Sequence, residues 1–262
     1  MLSLKEEITN WRREYFKTKT YFFVAQWLGY IDVSYDFFSK IPKEINVINM
    51  GYATITESGL SLDSLTRFIS KDVLRKAIKN LQKQNIKVLL SITDHQDYQW
   101  YKCDTNSNTF NTFICNLLDI LDDWGFDGID IHNNSEITNK TFTETTLVNL
   151  IKNVRKSMSS DRLLTLSAVN DPKYNKIIIH NTSKYLDWIN LVNEGSNPEL
   201  LFNKYQAINI NVNLNVNNLN TLRYMEFIKD KKIGIYMWGI NKDFKDNFSR
   251  TKYLLEKLHT TY

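Results

Sequence analysis

Short runs of β-branched and aromatic residues alternate eight times with stretches of helical apolar spacing, and this alternation restricts the fold more than any other feature of the chain. The runs that read as strands are Tyr21 to Trp27, Asn46 to Ala53, Ile86 to Ile92, Gly128 to His132, Leu163 to Val169, Trp188 to Asn193, Ala207 to Asn213 and Ile233 to Trp238. Between them, Val73, Leu74, Ala77, Ile78 and Leu81 share one helical face, as do Phe110, Phe113, Ile114, Leu117, Leu118 and Leu121. Leu147, Leu150, Ile151, Val154 and Met158 repeat the spacing, followed by Leu219, Leu222, Met225 and Ile228. A last helix is expected to turn Phe244, Phe248, Leu255 and Leu258 inward, and Asn197-Pro198-Glu199 reads as the capped start of a short helix. Strand and helix in strict succession build a parallel sheet. Eight repeats predict an α/β fold of the single (β/α)8 TIM-barrel type, with a doubly wound open sheet as the alternative that pattern alone leaves open.

The length of 262 residues suits one such barrel, and three prolines and eight glycines, scattered singly at turns, mark no linker. One domain over residues 1–262 is expected, with 1–20 as an extension or helix ahead of the first strand. A chain with 42% hydrophobic and 13% aromatic residues can fill a large core and lacks the composition of a disordered protein. Lys and Arg number 33 against 29 Asp and Glu, and they are interspersed along the chain, so nucleic acid is not an expected partner. The apolar run Tyr21–Ala25 is too short for a membrane span. The opening residues, MLSLKEEITNWRREYFKTK, lack the apolar segment and small-residue cleavage site of a secretory signal. Cys103 and Cys115 either pair across a short loop or stay reduced, and neither state identifies a compartment.

Barrels of this type carry their chemistry at the C-terminal ends of the strands. Those positions hold Gln26, Trp27, Tyr52, Thr93, Asp94, His95, Asp127, Asp130, His132, Asn134, Asn170, Asp171, Asn193, Glu194, Trp238 and Asn241. Amides and aromatics dominate the set. Such side chains suit sugars, whose hydroxyls bond to amides and carboxylates while their C–H faces stack on aromatic rings. His95 with Asp94 and His132 with Asp130 are pairs of metal-ligand type, but the spacing fits no zinc pattern, and with His180 and His259 outside the mouth no metal is expected. Without G-x-G-x-x-G after a strand, a P-loop or G-x-S-x-G, no cofactor is expected either. The tract INVNLNVNN alternates aliphatics with asparagines, which on a seventh strand would send Asn209, Asn211 and Asn213 to one side. The Asn-X-Ser/Thr sites at Asn133, Asn139, Asn181 and Asn247 occur at the frequency an asparagine-rich chain produces by chance.

Residues 124–134 read WGFDGIDIHNN. The segment resembles the fourth-strand signature DGxDxDxE of family 18 glycoside hydrolases, the chitinases and endo-β-N-acetylglucosaminidases. Asp127, Gly128 and Asp130 match it, His132 stands at the third aspartate, and Asn134 stands at the catalytic glutamate. NIKVLLSI (85–92) is similar to the family's third strand, but runs into Thr93 and Asp94 instead of glycines. LDWINLVNEG (186–195) is similar to the sixth strand, with Glu194 and Gly195 where the family has tyrosine and aspartate. IGIYMWGINKD (233–243) is similar to the eighth, and puts Trp238 at the tryptophan that floors the reacting subsite.

The resemblance implies a substrate-assisted mechanism, in which the sugar's acetamido oxygen attacks the anomeric carbon while a glutamic acid protonates the leaving oxygen. An aspartate two residues before that glutamate orients the acetamido group, and the sixth-strand tyrosine contacts it. Asn134 is an amide with no titratable proton near neutral pH, and losing a general acid costs about two to four decades of rate. Two-residue periodicity puts Asp130, His132 and Asn134 on one face of the strand, toward the barrel mouth. His132 is thus one substitute acid by position, with Glu136 and Glu194 as others if a loop brings them near. The bland reading makes Asp127, Asp130 and His132 an inherited polar core whose groups satisfy one another.

The expected function is accordingly that of a chitinase-like, lectin-like pseudoenzyme. It would bind an oligosaccharide or glycoprotein glycan containing N-acetylglucosamine through Trp238, Asp130, His132, Asn134, Glu194, Trp27 and Tyr52. An active hydrolase with a non-standard acid is one alternative. A scaffold with a protein partner is the other.

Overall fold

A computed structural model describes residues 23–34, 36–56, 59–93, 108–133, 144–169, 175–192, 210–213 and 234–259. Nine strands are assigned among them: β1 Phe23–Leu28, β2 Val47–Thr56, β3 Gly59–Ser61, β4 Lys87–Thr93, β5 Gly128–Asn133, β6 Leu163–Val169, β7 Trp188–Val192, β8 Ile210–Asn213 and β9 Gly234–Trp238. The helices are α1 Lys71–Lys83, α2 Asn108–Trp124, α3 Glu144–Ser157, α4 Asn175–Thr182 and α5 Ser249–His259, with short helical turns at Asp63–Thr66, Phe38–Lys40, Ser183–Tyr185 and Ile240–Asp246.

Every strand except β3 pairs in parallel with two neighbours, in the ring β1-β2-β4-β5-β6-β7-β8-β9, and β9 returns to β1 through Val24 opposite Tyr236 and Gln26 opposite Trp238. The ring is a TIM barrel. That closure decides against the open sheet, because β1 and β9 would otherwise be edges. The β3 strand is an addition that the sequence pattern did not signal, folded back antiparallel on the end of β2 with Ile55 opposite Leu60.

Alternation along each strand divides the core in two. The larger layer lies between ring and helices and includes Ala25, Trp27, Ile48, Met50, Leu90, Ile129, Ile131, Leu164, Leu166, Leu191 and Met237. Residues of the other parity form a small inner cluster, Val24, Val47, Leu89, Leu163, Trp188 and Tyr236, set toward the N-terminal ends of the strands. The barrel interior is therefore apolar at its base and polar above it.

The helices bury the faces their spacing predicts: Leu74, Ala77, Ile78 and Leu81 on α1, Phe110, Phe113, Ile114, Leu117 and Leu121 on α2, and Leu147, Leu150, Ile151 and Val154 on α3, with Met158 just beyond it. Phe248 is also buried, but α5 begins at Ser249, so Phe244 and Phe248 belong to the turn before the helix and not to the helix itself. The expected helices around Leu219–Ile228 and after Asn197 lie outside the described residues. No helix among the described residues is long and apolar enough to cross a membrane.

Candidate functional site

Gly128 opens β5 against the backbone of Leu163, where a Cβ would overlap the main chain of β6. From there the strand rises and delivers Asp130 into the barrel interior, fully buried. Three strands answer it with neutral donors. Ser91 of β4 donates at 3.0 Å, Thr165 of β6 at 2.7 Å and Ser167 of β6 at 2.9 Å to either oxygen. The Asn190 amide of β7 reaches Asp130 at 3.4 Å and Ser167 Oγ at 3.0 Å. A carboxylate in an apolar interior is tolerable only when its lone pairs are filled, and this cage fills them. Asn49 of β2, directly opposite Gln26 of β1 in the register, is also fully buried, and its amide has no hydrogen-bond partner among the described residues.

One layer higher, His132 is 1% exposed, with Nδ1 4.0 Å from Asp130 Oδ2. Its Nε2 stands 3.3 Å from the hydroxyl of Tyr52, and the two rings are tilted with centroids 4.8 Å apart. The Trp238 indole N–H donates to the same hydroxyl at 3.3 Å. The Tyr52 hydroxyl thus bridges Trp238 and His132, and the histidine's tautomer sets which of the two donates in the second contact. Burial pushes the Tyr52 phenol far above the ordinary tyrosine value; the Trp238 bond opposes the shift and the Asp130 charge adds to it. Tyr52 is thus a fixed neutral phenol. Burial holds Tyr236 neutral in the same way, and its hydroxyl donates to Gln26 Oε1 at 3.0 Å. Trp238 itself is half-buried, leans on the inner cluster, and carries the Lys242 ammonium 4.0 Å over its ring.

Two residues expected at the mouth are elsewhere. Asp127 precedes β5 at the opposite end of the barrel, where it accepts from the Val88 amide and Gln82 at 2.9 Å and pairs with Lys87 at 3.1 Å. A strand advances about 3.3 Å per residue, so Asp127 is some three residues below Asp130 and ties strand bases together. Trp27 is 1% exposed and meets Phe38 edge-on in the layer under the helices, because its neighbour Gln26 takes the inward parity. It is a packing residue, not a sugar platform. Asn241 clamps Leu28, giving its amide N–H to the carbonyl at 3.0 Å and accepting the amide proton at 3.3 Å.

Asn134, Glu136 and Glu194 lie outside the described residues, as do Asp94, His95, Asn170, Asp171 and Asn193. Sequence reasoning missed Ser91, Thr165, Ser167 and Asn190. The signal was present as single polar residues inside otherwise apolar strands, in VLLSIT, LLTLSAV and WINLV.

The family model for glycosyl hydrolases family 18 matches residues 19–195. Among solved structures, the fold is similar to a chitinase from Bacteroides thetaiotaomicron at a TM-score of 0.73 and 14% identity, covering 92% of this chain and 97% of that one. A GH18 chitinase from Pseudoalteromonas aurantia gives 0.70 and 15% over 90% and 100% of the two chains. A class V chitinase from Nicotiana tobaccum gives 0.68 and 14% over 92% and 99%. No curated protein matches the chain by sequence.

Proposed function

The chain belongs to glycosyl hydrolase family 18, and from that membership we propose that it is a chitinase-like protein that binds N-acetylglucosamine-containing glycans at the barrel mouth without cleaving them. The observation that carries this reading is the side-chain chemistry of β5 and the residue after it. Asp130 keeps a buried, hydrogen-bonded carboxylate, while positions 132 and 134 hold histidine and asparagine in place of the orienting aspartate and the acid.

Protonating a departing oxygen needs a titratable group within hydrogen-bond reach of it. Asn134 has none. His132 is enclosed and its Nε2 is engaged by Tyr52, so the substitute nearest the motif is already committed to the interior. Binding makes lighter demands: an aromatic surface for the sugar's C–H face and polar groups beside it. Trp238, half-buried beside the Tyr52 hydroxyl, supplies both, and the solved neighbours named as chitinases support the ligand class.

Isothermal titration with chitooligosaccharides, followed by mass spectrometry of the same sample, tests the reading. Saturable binding without product is expected, weakened about tenfold or more by Trp238→Ala, since a buried aromatic contact contributes on the order of 1.5 kcal/mol or more. Product that vanishes in His132→Ala or Glu194→Gln would instead assign an active hydrolase. Absence of both binding and product would assign a scaffold or protein-interaction module.

A further inference from the structure

The loops that follow β1 and β9 flank an open pocket of about 820 Å³, lined by Asp32, Asp36, Lys40, Lys242, Phe244 and Lys245 among others. Its charges are not equivalent. Lys40 is committed to Asp36 at 2.5 Å, and Ser34 donates to the same carboxylate at 2.5 Å. Those two contacts, Lys40 first, hold the Asp36 carboxyl below its ordinary range, so the pair stays ionised and carries no net charge. Among the described residues, Lys242 and Lys245 have no carboxylate partner, and Asp32 is the acid of the lining that pairs with no cation. Two lysines and one aspartate of the lining thus stand outside ion pairs among those residues.

Lys242 links the cavity to the site already described, because it lines the cavity and its Nζ also stands 4.0 Å over the Trp238 ring. An exposed cation over an indole is held by about 0.5–1 kcal/mol. A neutral sugar that stacks on this face must displace the ammonium and offers it only neutral oxygen acceptors in exchange. A sugar with an anionic substituent lets Lys242 leave the ring for an ion pair inside the cavity, with Lys245 beside it.

We propose that the cavity between the β1 and β9 loops is an anion subsite, in which Lys242 and Lys245 select N-acetylglucosamine-containing glycans that carry a carboxylate or a sulfate. The inference rests on glycan binding at Trp238 and goes beyond it by naming the substituent. Lys242 acts as a cap on the Trp238 ring in the empty site and as an ion-pair donor in the filled one. The volume lies within the range of small-ligand pockets and leaves room for a substituted sugar next to the platform.

Titration of the full chain with three probes tests this: a neutral chitooligosaccharide, a hyaluronan oligosaccharide as the carboxylate source, and an O-sulfated chitooligosaccharide as the sulfate source. At least one anionic probe is expected to bind about three- to tenfold more tightly than the neutral one, as one or two partly exposed ion pairs allow, and whichever does so identifies the source. The preference should vanish in about 0.5 M salt. Lys245→Ala is expected to weaken the anionic probe, Lys242→Ala to weaken it while tightening the neutral one about twofold, and Asp32→Asn to strengthen it. Lys79→Ala, on the exposed side of α1, removes the same charge and should change neither affinity. Neutral binding that depends on Trp238, with no lysine-dependent anion preference, would overturn the subsite and leave glycan binding standing. Failure of all three probes to bind would overturn both.

Discussion

At Asp130 a buried carboxylate is held by hydroxyls and an amide brought from three strands, with His132 Nδ1 4.0 Å away. Truncating it leaves several buried donors facing one another, each costing about 1–3 kcal/mol when unpaired. Asp130→Ala is therefore expected to lower unfolding stability by about 3 kcal/mol or more in urea titration, and Ser167→Ala by a smaller amount, since it removes one donor from a cage with others left. Tyr52 has a different part: its hydroxyl is the link between the Trp238 indole and His132. Tyr52→Phe keeps the ring contact with His132 and deletes both hydrogen bonds, so the Trp238 indole loses its anchor while the packing survives. The expected outcome is a several-fold weaker chitooligosaccharide affinity by titration, with a loss of about 1–3 kcal/mol in stability. The aspartate at position 127 shows how far an element's direction matters. It belongs to the same sequence motif as Asp130 and to the other end of the barrel.

Several strand bases share one device. A polar residue just before a strand accepts the backbone N–H at the start of the preceding barrel strand: Asn46 from Phe23 at 2.9 Å, Asp127 from Val88 at 2.9 Å and Asp187 from Leu164 at 2.8 Å. Each of these amides is the first or second of its strand, so the side chain completes the pairing at the strand's base. Arg155 of α3 reinforces the third case, bonding Asp187 at 3.3 Å and the Arg162 and Tyr185 carbonyls at 3.0 and 3.2 Å. Asp187→Ala is expected to cost about 1–3 kcal/mol by thermal or urea unfolding. Asp127→Ala should cost more, because Gln82 and Lys87 lose their partner along with the Val88 amide. At this scale the sequence was easy to read for helices, whose buried faces follow from a period of 3.6 residues, and harder for β3 and for the turn holding Phe244 and Phe248. Three residues of antiparallel strand and a short turn contain too few positions to establish a period.

The whole molecule depends on a contact between its first and last described strands. With β1 hydrogen-bonded to β2 and β9, the ring closes only after residues near Gln26 meet residues near Trp238. A chain ending before Gly234 would expose the open edges of β1 and β8 and the inner cluster that Tyr236 completes. Such a truncation is expected to lose cooperative unfolding and to aggregate, as read by near-ultraviolet circular dichroism and size-exclusion chromatography. Identities of 14–15% to solved chitinases at TM-scores of 0.68–0.73 fit this dependence, since many apolar residues can fill the same two layers. The amino-acid order by itself determined the alternation of strand and helix, the helix faces and the want of a carboxylate at positions 132 and 134, because side-chain chemistry and local periodicity are properties of neighbours along the chain. Tertiary structure alone decided that Trp27 turns away from the mouth, that Asp127 sits at the base, and that Ser91, Thr165, Ser167 and Asn190 converge on Asp130. Those facts depend on the register between strands, and register is set by groups that meet only when the ring has closed.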